Sequence, residues 1–306
     1  MNIDAILTPA ELPALARRDL RGTLCVVFDV LRATSTFVTA LHNGAEAIIP
    51  VSEIAEALAF KKAETILLGG ERDGVRIRAA QTGGIDFDLG NSPRECTPEK
   101  VRGKTIVSTT TNGTRALRAC VGAKTVLAGS FLNLAATAEF IKTLRPVEVL
   151  LVCAGTREDR ADEDVLAAGA LCELLDATLS MNLLGAPASR RPVGSRKPEL
   201  AGETPALPGM VPRLKSSMRD YSVRGILSPL GRGEGVLQMT KSADIARHYY
   251  SQAKSDLTAA VCKATNARRL LAIPELRDDV AFCLQRDVFP LIARMQADGE
   301  IRRQAA

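Results

Sequence analysis

The chain has no tryptophan, only three tyrosines and only two histidines among 306 residues. So few aromatics leave no platform on which bases could stack, and a net charge of +5 alone is weak support for a nucleic-acid partner. The histidines, His42 and His248, cannot build a histidine-rich metal centre. One sits late in a helical stretch beside a turn and the other in an Arg-Tyr-Tyr string, settings that suit packing or surface roles rather than a phosphohistidine. No apolar run nears the roughly 20 residues of a membrane span. The first residues lack the basic-then-apolar order of a secretory signal, so a cytoplasmic location without a membrane partner is expected. The seven cysteines are odd in number, scattered, and never in a C-x-x-C pair. Several lie inside apolar runs, where a thiol serves as a small buried hydrophobe.

What is present is a large apolar fraction, 46%, arranged in short β-branched runs that alternate with amphipathic segments. That order predicts βαβ units in an α/β/α layered fold around a largely parallel or mixed sheet. Strands are expected at 23–30, 45–51, 65–70, 104–109, 124–129 and 148–155. Helix starts are expected at Ser52, at Ser92-Pro93 and at Thr97-Pro98, where a hydroxyl can cap and proline pre-sets the first turn. Gly44 and Gly122 are placed to end helices in a left-handed turn. A long helix with an acidic start begins at DEDVLAAG.

Residues 181–240 break this order. They hold nine Lys/Arg against four acids, seven of the fifteen prolines and eight glycines. The rest of the chain is therefore neutral, and this stretch reads as a basic, disordered insertion between a first core segment, 1–180, and the remainder of the core, 241–306. Beyond it, SDLTAAVCKATNARRLLAI reads as helical and DVAFCLQ, 279–285, as a strand.

In an open α/β sheet, ligands gather beyond the C-terminal ends of strands. The first strand ends in Asp29, Arg32, Thr34 and Ser35, a carboxylate for a hard cation and a guanidinium for an oxyanion. The same residues also read as a helix cap and a surface pair. The third strand ends in Glu71 and Arg72. The fourth runs into Thr109, Thr110, Thr111, Asn112, Gly113, Thr114 and Arg115, a hydroxyl- and amide-rich loop able to surround a phosphate or sulfonate, or simply to cap a helix. The sixth leads to five carboxylates in seven residues, Glu158 to Asp164, which repel one another unless solvated or neutralised. The D-x-D of Asp86 and Asp88 is not a phosphatase nucleophile, because it follows a polar, glycine-rich stretch rather than an apolar strand. Cys96 and Arg102 have the spacing of a cysteine-phosphatase loop, but no glycine lies between them and Glu99 stands where phosphate would sit.

Taken in order, DVLRATST, GGERDG, FDLGNSPRE, STTTNGTRAL, CAG with DEDVLAAG, and DDVAFCLQRDVFP resemble the 2-phosphosulfolactate phosphatase family. The resemblance covers 23–180 and 242–292. It implies a Mg²⁺-dependent α/β enzyme that hydrolyses 2-phosphosulfolactate to 3-sulfolactate and phosphate, a step that serves coenzyme M synthesis in some organisms. It also implies that Asp29, Glu71, Glu163 and Asp164 supply the metal carboxylates and that Asp29, Arg32 and Arg115 form the catalytic set. Thr34, Ser35, Arg72, Asn91, Ser92 and the loop Thr109–Thr114 would bind the small anionic phosphoester. Rival readings are a phosphatase of another phosphorylated hydroxy acid and a non-catalytic anion- or nucleic-acid-binding protein using the basic insertion. A homo-oligomer is compatible with each.

Overall fold

The computed structural model describes residues 1–15, 17–184 and 237–304. Its strands are β1 (Asn2–Ile6), β2 (Thr23–Phe28), β3 (Ala47–Pro50), β4 (Ile66–Arg72), β5 (Val75–Arg76), β6 (Thr105–Thr109), β7 (Thr125–Gly129), β8 (Glu148–Cys153), β9 (Gln238–Met239), β10 (Ile292–Met295) and β11 (Ile301–Gln304). They form one sheet of order β5-β4-β6-β3-β11-β10-β7-β2-β8-β1-β9. The six expected strands are present as β2, β3, β4, β6, β7 and β8.

Alternation explains why the central strands are apolar throughout. In β2, Leu24, Val26 and Phe28 join one hydrophobic cluster while Cys25 and Val27 join another, and β8 divides its residues the same way. A strand buried on both faces carries no polar alternation. One cluster packs under the helices Leu134–Leu144, Asp162–Leu184 and Lys241–Ala253; the other packs under Ala33–His42 and Gly113–Ala119. This is the expected α/β/α layering.

The sheet contains two parallel blocks. Strands β4, β6 and β3 run together, as do β7, β2, β8 and β1. Between them the hairpin β10–β11 is antiparallel to itself and to both flanking strands, so the blocks run in opposite senses. A twist of roughly 20–25° per strand accumulates to about 100–125° over the steps from β2 to β6. The loops that leave β4 and β6 can thereby meet those that leave β2 and β8.

Several local expectations are met. Pro93–Glu95 follows Ser92 as a 3₁₀ turn, Pro98–Val101 follows Thr97 as a helix, and Gly44 and Gly122 have φ of +96° and +103°. Others are corrected. DVAFCLQ lies largely in a helix, Arg277–Cys283, because its buried Val280, Cys283 and Leu284 are spaced three and four apart rather than two. The helix expected to start at Ser52 begins one residue later, with Glu53 as its cap. The stretch from Leu257 to Leu271 is two helices, Leu257–Cys262 and Thr265–Leu271. The first residues, unassigned from sequence, form β1 alongside β8.

The basic insertion falls mostly outside the described residues. Where its limits are described, 181–184 continues the long helix and Gln238–Met239 is a strand paired with β1. Among the described residues no helix is long and apolar enough to cross a membrane.

Candidate active site

The loops after β2, β4, β6 and β8 meet over an open cleft, joined by the helix Thr265–Leu271. Its lining includes Asp29, Arg32, Glu71, Asn91, Thr111 and Asn112, all expected site residues, together with Asp73, Gly74, Thr156, Arg157, Asn266 and Arg269.

Asp29 follows the last residue of β2 and is buried. Its Oδ1 accepts the Ala33 N–H at 3.2 Å at the start of the helix Ala33–His42. Its Oδ2 has no hydrogen-bond partner among the described residues. Burial pushes the Asp29 carboxyl up to about 7; the Ala33 N–H and Arg32 oppose that rise, while the nearby charges of Glu71 and Glu163 add to it. Gly113 makes the close approach possible, because a Cβ there would stand 2.6 Å from the Ala33 Cβ and 2.7 Å from Asp29 Oδ2.

Glu163 is 1% exposed. Asn266 Nδ2 donates to its Oε1 at 2.8 Å and to Thr156 Oγ1, and Oε2 is buried without a partner. Burial raises its pKa against the Asn266 hydrogen bond. Such an orphaned carboxylate oxygen is costly unless a ligand meets it.

The two remaining carboxylates are differently employed. Asp164 accepts the Val30 N–H through Oδ1 at 2.8 Å and the Gly155 N–H through Oδ2 at 3.0 Å. It thus fastens the loop after β2 to the loop after β8. Burial holds its pKa well above the carboxylate range, with Asp29 and Glu163 adding to the rise. Glu71 accepts Thr111 N–H and Oγ1–H through Oε1, both at 2.8 Å, and Gly74 N–H through Oε2 at 2.6 Å.

Among the described residues, no group of three or more His, Cys, Asp or Glu side chains is close enough to share a metal ion. The donors left are Asp29 Oδ2 and Glu163 Oε2. The charges of these two side chains act on each other, and oxygen donors of this kind suit a hard cation such as Mg²⁺, which keeps several waters and takes one or two carboxylates.

Arg32 is 3% exposed and committed elsewhere. It donates to Asp279 Oδ2 at 2.7 Å and to the Gly74 carbonyl at 2.6 Å, while Ser92 Oγ donates to Asp279 Oδ1 at 2.7 Å. Arg32 and Ser92 therefore tie the first loop and the 90–95 turn to the C-terminal helix Arg277–Cys283. Thr34 and Ser35 bond back to the Asp29 and Val30 carbonyls. Arg72 binds Thr109 Oγ1, which itself donates to the Ser52 carbonyl, and Thr114 bonds Thr110. Thr34, Ser35, Arg72, Ser92, Thr109, Thr110 and Thr114 thus shape the loops from behind and do not line the cleft, whereas Arg32 lines it with its guanidinium already paired. Arg115 lies on the surface at 3.1 Å from Glu158. Asn266 and Asp279 lie in strings that read from sequence as a helix and a strand of packing residues, and no local pattern marks their partners.

The sequence matches the 2-phosphosulpholactate phosphatase family profile over residues 7–188. It is 47% identical over 161 residues to the "Probable 2-phosphosulfolactate phosphatase" of Caldanaerobacter subterraneus subsp. tengcongensis, covering 52% of this chain and 64% of that one. Against the protein of the same name from Caldicellulosiruptor saccharolyticus it is 47% identical over 160 residues, 51% and 63% of the two chains. Against that of Thermotoga petrophila it is 49% identical over 173 residues, 56% and 68%. The chain thus spans under two thirds of the length of the first two relatives. With more than half of its residues matched, and the matched part supplying every strand-end loop that builds the cleft except the helix bearing Asn266, the chain belongs to the 2-phosphosulpholactate phosphatase family.

Proposed function

We propose that this protein is a Mg²⁺-dependent phosphatase that hydrolyses 2-phosphosulfolactate to 3-sulfolactate and phosphate. The observation that carries the reading is Asp29, a buried carboxylate on the cleft with one oxygen unpartnered and its pKa pushed up to about 7. Such a group beside Glu163 calls for a cation. Asp29 and Glu163 would hold Mg²⁺, which when bound supplies positive charge to the phosphoryl oxygens and lowers the pKa of a bound water.

The chain's own groups supply the rest. Asn91 and Asn112 line the cleft, and their side-chain amides can donate to phosphoryl oxygens as charge spreads over them. Glu71 holds the Thr111 amide and hydroxyl, so the loop that carries Asn112 keeps one geometry. In the reaction a water oxygen bonds to phosphorus, the bond from phosphorus to the substrate's C2 oxygen breaks, and that oxygen leaves with a proton as the hydroxyl of sulfolactate.

Phosphate release from 2-phosphosulfolactate, assayed after chelation and after adding Mg²⁺ back, tests both parts. Turnover is expected to vanish on chelation and return with Mg²⁺. Full activity after exhaustive chelation would discard the metal, and no release under any condition would discard the substrate.

A further inference from the structure

We infer that Arg157 and Arg269 form a two-guanidinium subsite at the cleft mouth for a second acidic group of the substrate, a sulfonate or carboxylate, with Asp73 occupying it when substrate is absent. The inference rests on the cleft being the substrate site.

Three arginines line the cleft, Arg32, Arg157 and Arg269. Arg32 is buried and neutralised by Asp279 at 2.7 Å. The other two reach the same atom, Asp73 Oδ1, at 3.5 Å from Arg157 and 3.6 Å from Arg269. Both distances exceed a good charge-assisted hydrogen bond, and all three side chains are exposed. An ion pair of that kind is weak and easily exchanged. Two guanidinium forks around one carboxylate oxygen present the donor pattern that carboxylates and sulfonates accept.

The cluster is built rather than incidental. Its members come from the β4–β5 turn, the loop after β8 and the helix Thr265–Leu271. Asp73 and Arg157 have φ of +54° and +58°, a region that non-glycine residues seldom occupy and that is concentrated at ligand sites. Arg157 is held there by its own N–H, which donates at 3.1 Å to Oδ1 of Asn112. The same asparagine lines the cleft, so one residue links the rim arginine to the cleft wall. Arg269 lies against Gly74, where a Cβ would sit 3.6 Å from its guanidinium.

Calorimetric binding of 3-sulfolactate, which carries carboxylate and sulfonate but no phosphoryl group, tests the subsite separately from catalysis. Inorganic phosphate is the second probe, and the full chain is compared with Arg157→Gln, Arg269→Gln and Asp73→Asn. Asparagine tolerates the left-handed backbone of position 73, and all three side chains are exposed, so folding is preserved. Each arginine variant is expected to weaken sulfolactate by about tenfold or more, and phosphate by less than about threefold. Asp73→Asn is expected to tighten sulfolactate severalfold by removing the competing carboxylate. Equal losses for both probes, unchanged sulfolactate binding in both arginine variants, or no sulfolactate binding to the parent chain would each overturn the subsite. Tight sulfolactate binding with no phosphate release from 2-phosphosulfolactate would instead sink the phosphatase reading and leave the subsite standing.

Discussion

The floor and the mouth of the cleft use the same residue types for opposite ends. On the floor, Arg32 and Asp279 are 3% and 0% exposed and bind each other, while Asp164 gives both oxygens to backbone amides. At the mouth, Arg157, Arg269 and Asp73 are exposed and only loosely paired. Burial makes the difference. A desolvated charge must be matched at short range or it destabilises the fold, so floor charges become structure. A solvated charge can wait in water for a ligand at little expense to stability. Asp29 and Glu163 stand between these cases, being buried yet each with an oxygen left over.

The largest effect is expected from breaking the floor. Asp279→Ala leaves Arg32 buried without its counter-charge, and should lower unfolding free energy by about 3–5 kcal/mol, read by denaturant titration. Adding Arg32→Met should recover much of that loss; if the double variant is as unstable as the two single losses added together, the pair is not coupled.

Asp29→Asn comes next, with a loss in kcat/KM of about a hundredfold or more if Asp29 holds the cation. It also carries a sign in pH. The unfolded chain ionises Asp29 near 3.8 and the folded one near 7. The parent's metal-free stability from this group is therefore full below about pH 4 and falls as pH rises to about 7. The variant lacks that decline. In chelator, the melting temperature of Asp29→Asn should gain on the parent between pH 5 and pH 7.5, and a constant difference would refute the burial argument.

Gly113→Ala drives a methyl into Ala33 and Asp29 Oδ2. A cost of about 1–3 kcal/mol in stability is expected, and kcat should fall with it because Asp29 is displaced. Thermal melts and steady-state kinetics on one preparation would separate these. The smallest effect belongs to Arg115→Gln. Its exposed pair with Glu158 is worth under about 1 kcal/mol, and kcat/KM should stay within roughly twofold. A tenfold loss would return Arg115 to the site and blur the contrast between floor and mouth.

Much of the architecture was legible along the chain. The apolar runs at 23–30 and 148–155 are strands because strand periodicity and burial on both faces are local properties, and Gly44 and Gly122 end helices for equally local reasons. The segments that misled were short. DVAFCLQ holds apolar residues at spacings compatible with either period, and only its packing against the first loop selects the helix. The four strand-end loops, after β2, β4, β6 and β8, were also legible as candidates to line a cleft, since carboxylates, hydroxyls and amides at strand ends are visible as composition.

The sequence by itself determined the α/β layering, the strand-end loops that line the cleft and Asp29 at the end of its strand. Hydrophobic periodicity and capping act over a few residues and need no distant partner. Only the tertiary structure decided which of those groups remain available. Arg32 is spoken for by Asp279, 247 positions away, and Glu163 is held by Asn266, 103 positions away. A hydrogen bond depends on a few tenths of an ångström between atoms that the chain brings together only after folding. The competition that leaves Asp29 and Glu163 one oxygen each, while saturating Glu71 and Asp164, is therefore settled by packing across the twisted sheet.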